Sequence, residues 1–192
     1  MPSQFLLDTN AYYILFDPSC PSSYAALTAK LNYSGVVSFY ISEITSMEIH
    51  SVLGKYRRKS DPQVQTCKRD IIDGNSHIQC SKTWRDPGRR RLSPNAYCTI
   101  LAMLKDCEAG KGDIQATTIK VDSFCVKHAQ YLLEEYSGRF NFGSHDALIA
   151  GSLIAARQQG LDLELVTSDK GLKAVLKEEK ISYFDPSDPV EW

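Results

Sequence analysis

Short apolar runs alternate with longer helix-like segments along most of the chain. This alternation constrains the fold more than any other property of the sequence. Residues 5–7, 36–41, 117–121, 163–167 and 181–184 read as strands, rich in β-branched, aromatic and aliphatic residues. Helices are expected over residues 9–16, stopped by Pro18, over 22–31, and over about 42–56, where Ile49, Val52, Leu53 and Tyr56 follow helical spacing. Ser93-Pro94 starts a further helix cleanly, with serine as the cap and proline at the first helical position, and Gly110 ends it. Later helices run from the cap Asp122 to Tyr136, from Ser144 to Gly160, and over 170–179. Strands alternating with helices predict an α/β fold with a mostly parallel central sheet of about five strands, flanked by helices. At 192 residues and 43% hydrophobic, the chain fits one domain with a real core.

Four acids recur at one kind of place in this pattern. Asp8 in FLLDTN and Asp169 in LVTSDKGL end strands, Asp146 in GSHDALIAG lies in the first turn of a helix, and Glu48 in ISEITSMEIH lies about two turns into one. In open α/β sheets the site lies beyond the carboxyl ends of the strands, and all four can face that edge. Each also has a local explanation. Asp8 and Asp169 can cap the helices that follow, Asp146 suits the positive end of a helix dipole, and Thr45-Ser46-Met47-Glu48 is a T-x-x-E capping box. These explanations account for each acid but not for the shared edge.

Carboxylates gathered at one edge repel one another and need a cation or protons. Their oxygens suit Mg2+ or Mn2+ without help from His or Cys. Such an ion lowers the pKa of its water and offsets the charge of a phosphodiester, so phosphodiester hydrolysis is the natural chemistry. No G-x-x-x-x-G-K-[ST] sequence is present, which disfavours a P-loop, and Asp8-Thr9-Asn10 is not the D-x-D of a phosphoaspartate phosphatase. His145 is a helix-start residue at the rim of this edge, or a phosphate contact; His128 lies on an apolar helix face and reads as packed.

The net charge of -1 hides an asymmetry. Over residues 55–91 there are 11 Lys or Arg and 4 Asp or Glu, and acids prevail elsewhere, which suggests contact with a polyanion. Pro62, Gly74, Pro87 and Gly88 break this stretch, which reads as loop with short helical pieces. The six cysteines are scattered without a C-x-x-C pair and are expected to be reduced; zinc at Cys67, His77 and Cys80 would need irregular spacings. No run approaches the roughly 20 apolar residues of a membrane helix, and no signal peptide is evident, so a cytoplasmic protein is expected.

Asp8-Thr9-Asn10, Thr45-x-x-Glu48, Asp146-Ala147-Leu148-Ile149-Ala150 and Thr167-Ser168-Asp169 occur in the order and contexts of PIN-domain ribonucleases, and the chain resembles the VapC-like toxins of bacterial toxin–antitoxin pairs. Tyr183-Phe184-Asp185-Pro186 is similar to the family's last strand, and the resemblance covers about residues 4–56 and 117–188. It implies a three-layer PIN-like fold and Mg2+- or Mn2+-dependent cleavage of RNA. Asp8, Glu48, Asp146 and Asp169 would form the catalytic and metal-binding quartet, with Asp8 and Asp146 as direct ligands and Glu48 and Asp169 holding a second ion or acting through water. Asn10, Thr167 and Ser168 would support them as polar neighbours. The family also implies a homodimer and an antitoxin partner.

The chain then reads as a single PIN-like domain over 1–192, with a basic insertion at about 57–116. There Arg57, Arg58, Lys59, Lys68, Arg69, Arg89, Arg90 and Arg91 would contact RNA phosphates, with Tyr56 or Trp84 stacking on bases. A solvated loop or contact with an acidic partner protein are the other readings of that stretch. For the whole chain, the alternatives are a catalytically inactive PIN-fold module that binds RNA or protein, and a nuclease directed at DNA.

Overall fold

The computed structural model describes residues 4–16, 21–33, 36–67, 70–73, 76–86, 88 and 91–188. The chain divides into two compact units, Met1–His50 with Ala102–Trp192, and Ser51–Leu101.

The larger unit is built on five parallel strands: β1 (Gln4–Leu7), β3 (Val36–Ser42), β8 (Ile114–Ile119), β9 (Leu163–Val166) and β10 (Tyr183–Phe184). Strand β3 lies between β1 and β8, β9 pairs on the other side of β1, and β10 pairs with β9. The short β2 (Asn32–Tyr33) pairs antiparallel with the start of β3. Central strands buried on both faces need continuous apolar runs, which Phe5-Leu6-Leu7 supplies. The flanking helices are α1 (Thr9–Phe16), α2 (Pro21–Leu31), α5 (Ser123–Tyr136), α6 (Ser144–Gln158) and α7 (Lys170–Glu178), with α3 (Glu43–Lys55) and α4 (Pro94–Glu108) crossing the division between units.

The core follows from strand alternation. Leu6 and Leu165 are register partners and join one apolar cluster with Leu132 of α5, Leu153 of α6 and Leu172 of α7. Elsewhere on the sheet, Phe39 meets Tyr12 of α1 edge to face, with centroids 5.9 Å apart. Helices α5 and α6 approach closely at Gly151, where a Cβ would stand 2.4 Å from the Cys125 carbonyl oxygen. Asp122 caps α5, its carboxylate accepting from the backbone of Phe124 and Cys125. The five expected strands and the helices between them are all present, so the fold class read from the alternation holds.

The smaller unit corrects one expectation. Its basic stretch is not loop with short helical pieces. It forms two antiparallel pairs, β4 (Gln63–Thr66) with β7 (Thr83–Asp86), and β5 (Asp70–Asp73) with β6 (Ser76–Gln79). Strand β4 is solvent-exposed along its whole length. Both its faces therefore meet water, and the buried-against-exposed alternation of a half-buried strand is absent. The residues between β5 and β6 in sequence are Gly74-Asn75, a dipeptide favoured in two-residue hairpins.

Candidate metal centre at the carboxyl edge of the sheet

Strand register assembles a polar row at the carboxyl edge. Leu7 pairs with Ile41 and with Val166, and Val166 pairs with Phe184. The next residue of each strand or its exit is then Ser42, Asp8, Thr167 or Asp185, and all four are buried. Buried polar groups need partners, and this row provides them. The Thr167 hydroxyl donates to Asp8 Oδ2 at 2.7 Å and accepts the Asp169 backbone N–H at 3.1 Å. The Thr9 backbone N–H donates to Asp8 Oδ1 at 2.5 Å. Asp8 is only 4% exposed, and burial first, then repulsion from Asp146 and Asp169, lifts its carboxyl from 3.8 to about 6 against these hydrogen bonds.

The other three acids face the same place. Asp146 opens α6, with Oδ2 accepting from the Gly143 N–H at 3.1 Å. Burial, then repulsion from Asp169 and Glu48, pushes its pKa up. Asp169 caps α7 by accepting from Leu172 N at 2.8 Å, so its expected cap role is real. Glu48 overturns its expected cap role. Helix α3 starts at Glu43, with the Ser42 hydroxyl accepting from Ile44 N, so Thr45 is already inside the helix and donates to the Leu7 carbonyl. The Glu48 carboxylate instead accepts from the Thr9 hydroxyl, 2.5 Å away at the start of α1.

The charge balance is one-sided. Among the described residues no Lys or Arg pairs with any of the four acids; the nearest basic group is His145, whose Nδ1 lies 3.8 Å from Glu48 Oε1. The fifth acid of the edge, Asp185, is satisfied differently. Lys173 pairs with it and Ser168 donates to it at 2.6 Å. Burial would raise the Asp185 carboxyl, but these donors and the Ser187 N–H hold it below the ordinary range. Among the described residues, no three His, Cys, Asp or Glu side chains already enclose a position for an ion.

The expected supporting residues divide. Thr167 touches Asp8 as expected, Ser168 turns to Asp185, and Asn10 is exposed in the first turn of α1. Thr9 and Thr45 were missed; their place beside Asp8 and Glu48 in the same short sequences was the available signal. His128 is half-buried beside Gln158, with Nε2 3.2 Å from its Oε1. Of the basic residues, Arg57, Arg58, Lys59 and Arg91 are exposed on the smaller unit, while Lys68, Arg69, Arg89 and Arg90 lie outside the described residues. Neither Cys67 nor Cys80 is in a disulfide among the described residues, and the His77 side chain is outside them. No helix among the described residues is long and apolar enough to cross a membrane.

No family model matches the sequence, and no curated protein matches it. Solved structures do. FitAcB from Neisseria gonorrhoeae is similar over 97% of this chain and 100% of its own, at 16% identity and a TM-score of 0.56. VapBC2 from Rickettsia felis, bound to a DNA fragment from its promoter, is similar over 94% of this chain and 97% of its own, at 16% identity and 0.53. DNA-bound VapBC from Salmonella typhimurium is similar over 96% and 98%, at 17% identity and 0.50. The sheet order and these likenesses give the chain a PIN-like α/β fold.

Proposed function

We propose that this chain is a Mg2+- or Mn2+-dependent endoribonuclease of the PIN type and acts as the toxin of a toxin–antitoxin pair. The observation that carries the proposal is Asp8, a buried carboxylate at the carboxyl edge that repels two neighbouring carboxylates and meets only neutral hydrogen-bond donors. Such a group wants a cation, and Lys173 is already engaged with Asp185. The donor set fits the proposed ions: all four acids offer hard oxygen, and Asp8, Asp146 and Asp169 each keep lone pairs beyond the hydrogen bonds described. A site more open than a closed cage suits Mg2+, which is held by one or two carboxylates and retains water.

Asp8 and Asp146 are the direct ligands in this reading, with Glu48 and Asp169 holding a second ion or a water. When bound, the metal would neutralise the scissile phosphate and lower the pKa of a coordinated water. The chain's own part is to fix the acids. Thr9 and Thr167 orient Asp8 from both oxygens, Thr9 also anchors Glu48, and the α7 cap anchors Asp169. His145 stands beside Glu48 at the exposed rim, placed to meet a phosphate.

The toxin role, a small antitoxin partner, a homodimer and a cytoplasmic location follow the resemblance to VapC-like toxins, supported by fold likeness to the FitAcB and VapBC structures. By likeness to those two DNA-bound complexes, a complex of this chain with an antitoxin would bind DNA. The direct test is incubation of purified protein with structured RNA and Mn2+, beside Asp8→Asn and a matched single-stranded DNA. Metal-dependent RNA cleavage lost in Asp8→Asn is expected. Cleavage unchanged in that variant, or cutting of DNA alone, contradicts the proposal.

A further inference from the structure

A second charged feature lies wholly in the smaller unit. Lys55 ends α3, and Arg57 and Arg58 follow in the turn beyond it. The Leu92 N–H donates to the Tyr56 carbonyl at 2.9 Å, which returns the chain to this turn after the two strand pairs and delivers Arg91. Tyr97 comes from the first turn of α4. Lys55, Arg57, Arg58, Arg91 and Tyr97, with Ser51 and Gly54, line an open cleft of about 540 Å³. No acid lines it, and among the described residues none of the four cations has a carboxylate partner. The carboxyl end of α3 attracts one or two basic residues on its own. It does not explain Arg91, which arrives from the far side of the hairpins.

Two details make the cleft more than a charged surface. The Arg57 guanidinium stacks over the Tyr97 ring, 5.0 Å from its centroid. A stacked guanidinium is held in place, so it loses less freedom when it binds an oxyanion. Gly54 stands one residue from the end of α3, and a Cβ there would meet nothing within 4 Å. Crowding inside the protein therefore does not require glycine, although glycine weakens a helix. A ligand that approaches the helix backbone would require it.

We infer that this cleft is a binding site for single-stranded RNA, with Lys55, Arg57, Arg58 and Arg91 on consecutive phosphates. Exposed aromatics on the same unit, Tyr56 and Trp84, are of the type on which bases stack. The site deepens the ribonuclease reading and rests on it for the identity of the strand, yet it needs no metal to bind and shares no residue with the acid quartet. Failure to bind and failure to cut are therefore read separately.

The experiment is fluorescence anisotropy of a labelled 12-nucleotide single-stranded RNA in EDTA, over a range of salt, with full-length protein. Each phosphate contact contributes about 0.7 to the log–log salt slope for a single strand. The combined change Arg57→Ala, Arg58→Ala, Arg91→Ala should flatten the slope by about 2, and Arg58→Ala alone by about 0.7. Gly54→Leu keeps every charge but narrows the cleft at the helix backbone, and should weaken binding roughly tenfold, the scale of one lost contact. Circular dichroism checks that each variant is folded. An affinity and slope unchanged in the triple variant overturn the inference, as does an unchanged affinity in folded Gly54→Leu. Preferential binding of polyglutamate or of the matched single-stranded DNA would also overturn it, assigning the cleft to an acidic protein or to DNA.

Discussion

Asp8 is where side-chain chemistry and stability conflict most openly. Burial and the neighbouring acids lift its carboxyl from 3.8 to about 6. A carboxyl raised in the folded state binds protons more tightly there than in the unfolded chain. The metal-free protein therefore loses stability as pH rises from about 4 through about 6, and the ionised group costs on the order of 3 kcal/mol at pH 7. Asp8→Asn should raise the melting temperature of metal-free protein at pH 7, with the gain vanishing near pH 4. Melting curves at the two pH values check this; a variant less stable at pH 7 would show that the carboxylate is not under strain. Mn2+ should stabilise the wild type by mass action and leave Asp8→Asn unmoved. Because a proton competes for the same oxygen, Mn2+ affinity measured by calorimetry should fall as pH drops below about 6. Asp8 and Asp169 were legible in the sequence because each sits where a strand gives way to a helix, and Asp146 because it lies in the first turn of one. The role of Glu48 was not. A capping box is a local pattern, whereas the hydroxyl that holds Glu48 is 39 residues away, and only the pairing of β1 with β3 brings the two elements together.

Elements position these groups through a few side chains, and each can be tested. Thr167 follows β9 and joins Asp8 to the start of α7. Thr167→Val keeps the shape and removes the hydroxyl. By analogy with partners of metal ligands it should lower metal affinity or activity by roughly 10–100-fold; a variant with both unchanged would show that Thr167 serves packing alone. Gly151 governs the approach of α6 to α5. Gly151→Ala places a Cβ against the Cys125 carbonyl and should cost about 1–3 kcal/mol in denaturant unfolding, the scale of an overpacked core. Elements with an apolar run or period of their own were readable from the residues alone, among them β1 and α5. Strands β4 and β7 were not, because a ribbon with both faces in water carries no such period.

At the scale of the molecule, a sheet edge rich in carboxylates and a unit rich in arginine would divide the labour of the proposed ribonuclease. One gathers hard oxygen ligands, and the other gathers four cations, Lys55, Arg57, Arg58 and Arg91, that have no carboxylate partner among the described residues. The five-stranded sheet was legible because alternating strands and helices admit few parallel arrangements. Arg57, Arg58 and Arg91 were singled out in the sequence, but not their meeting in one cleft, because they lie on either side of a long excursion and are brought together by the backbone bond from Leu92 to Tyr56. The most direct measurement is a crystal structure of the protein soaked in Mn2+, read by its anomalous signal. An ion at the carboxyl edge, coordinated at about 2.1 Å by oxygens of Asp8 and Asp146 with water completing the shell, is the expected result. A well-ordered edge that stays without Mn2+, or an ion bound elsewhere while these two carboxylates remain too far apart to share one, would contradict the proposed nuclease.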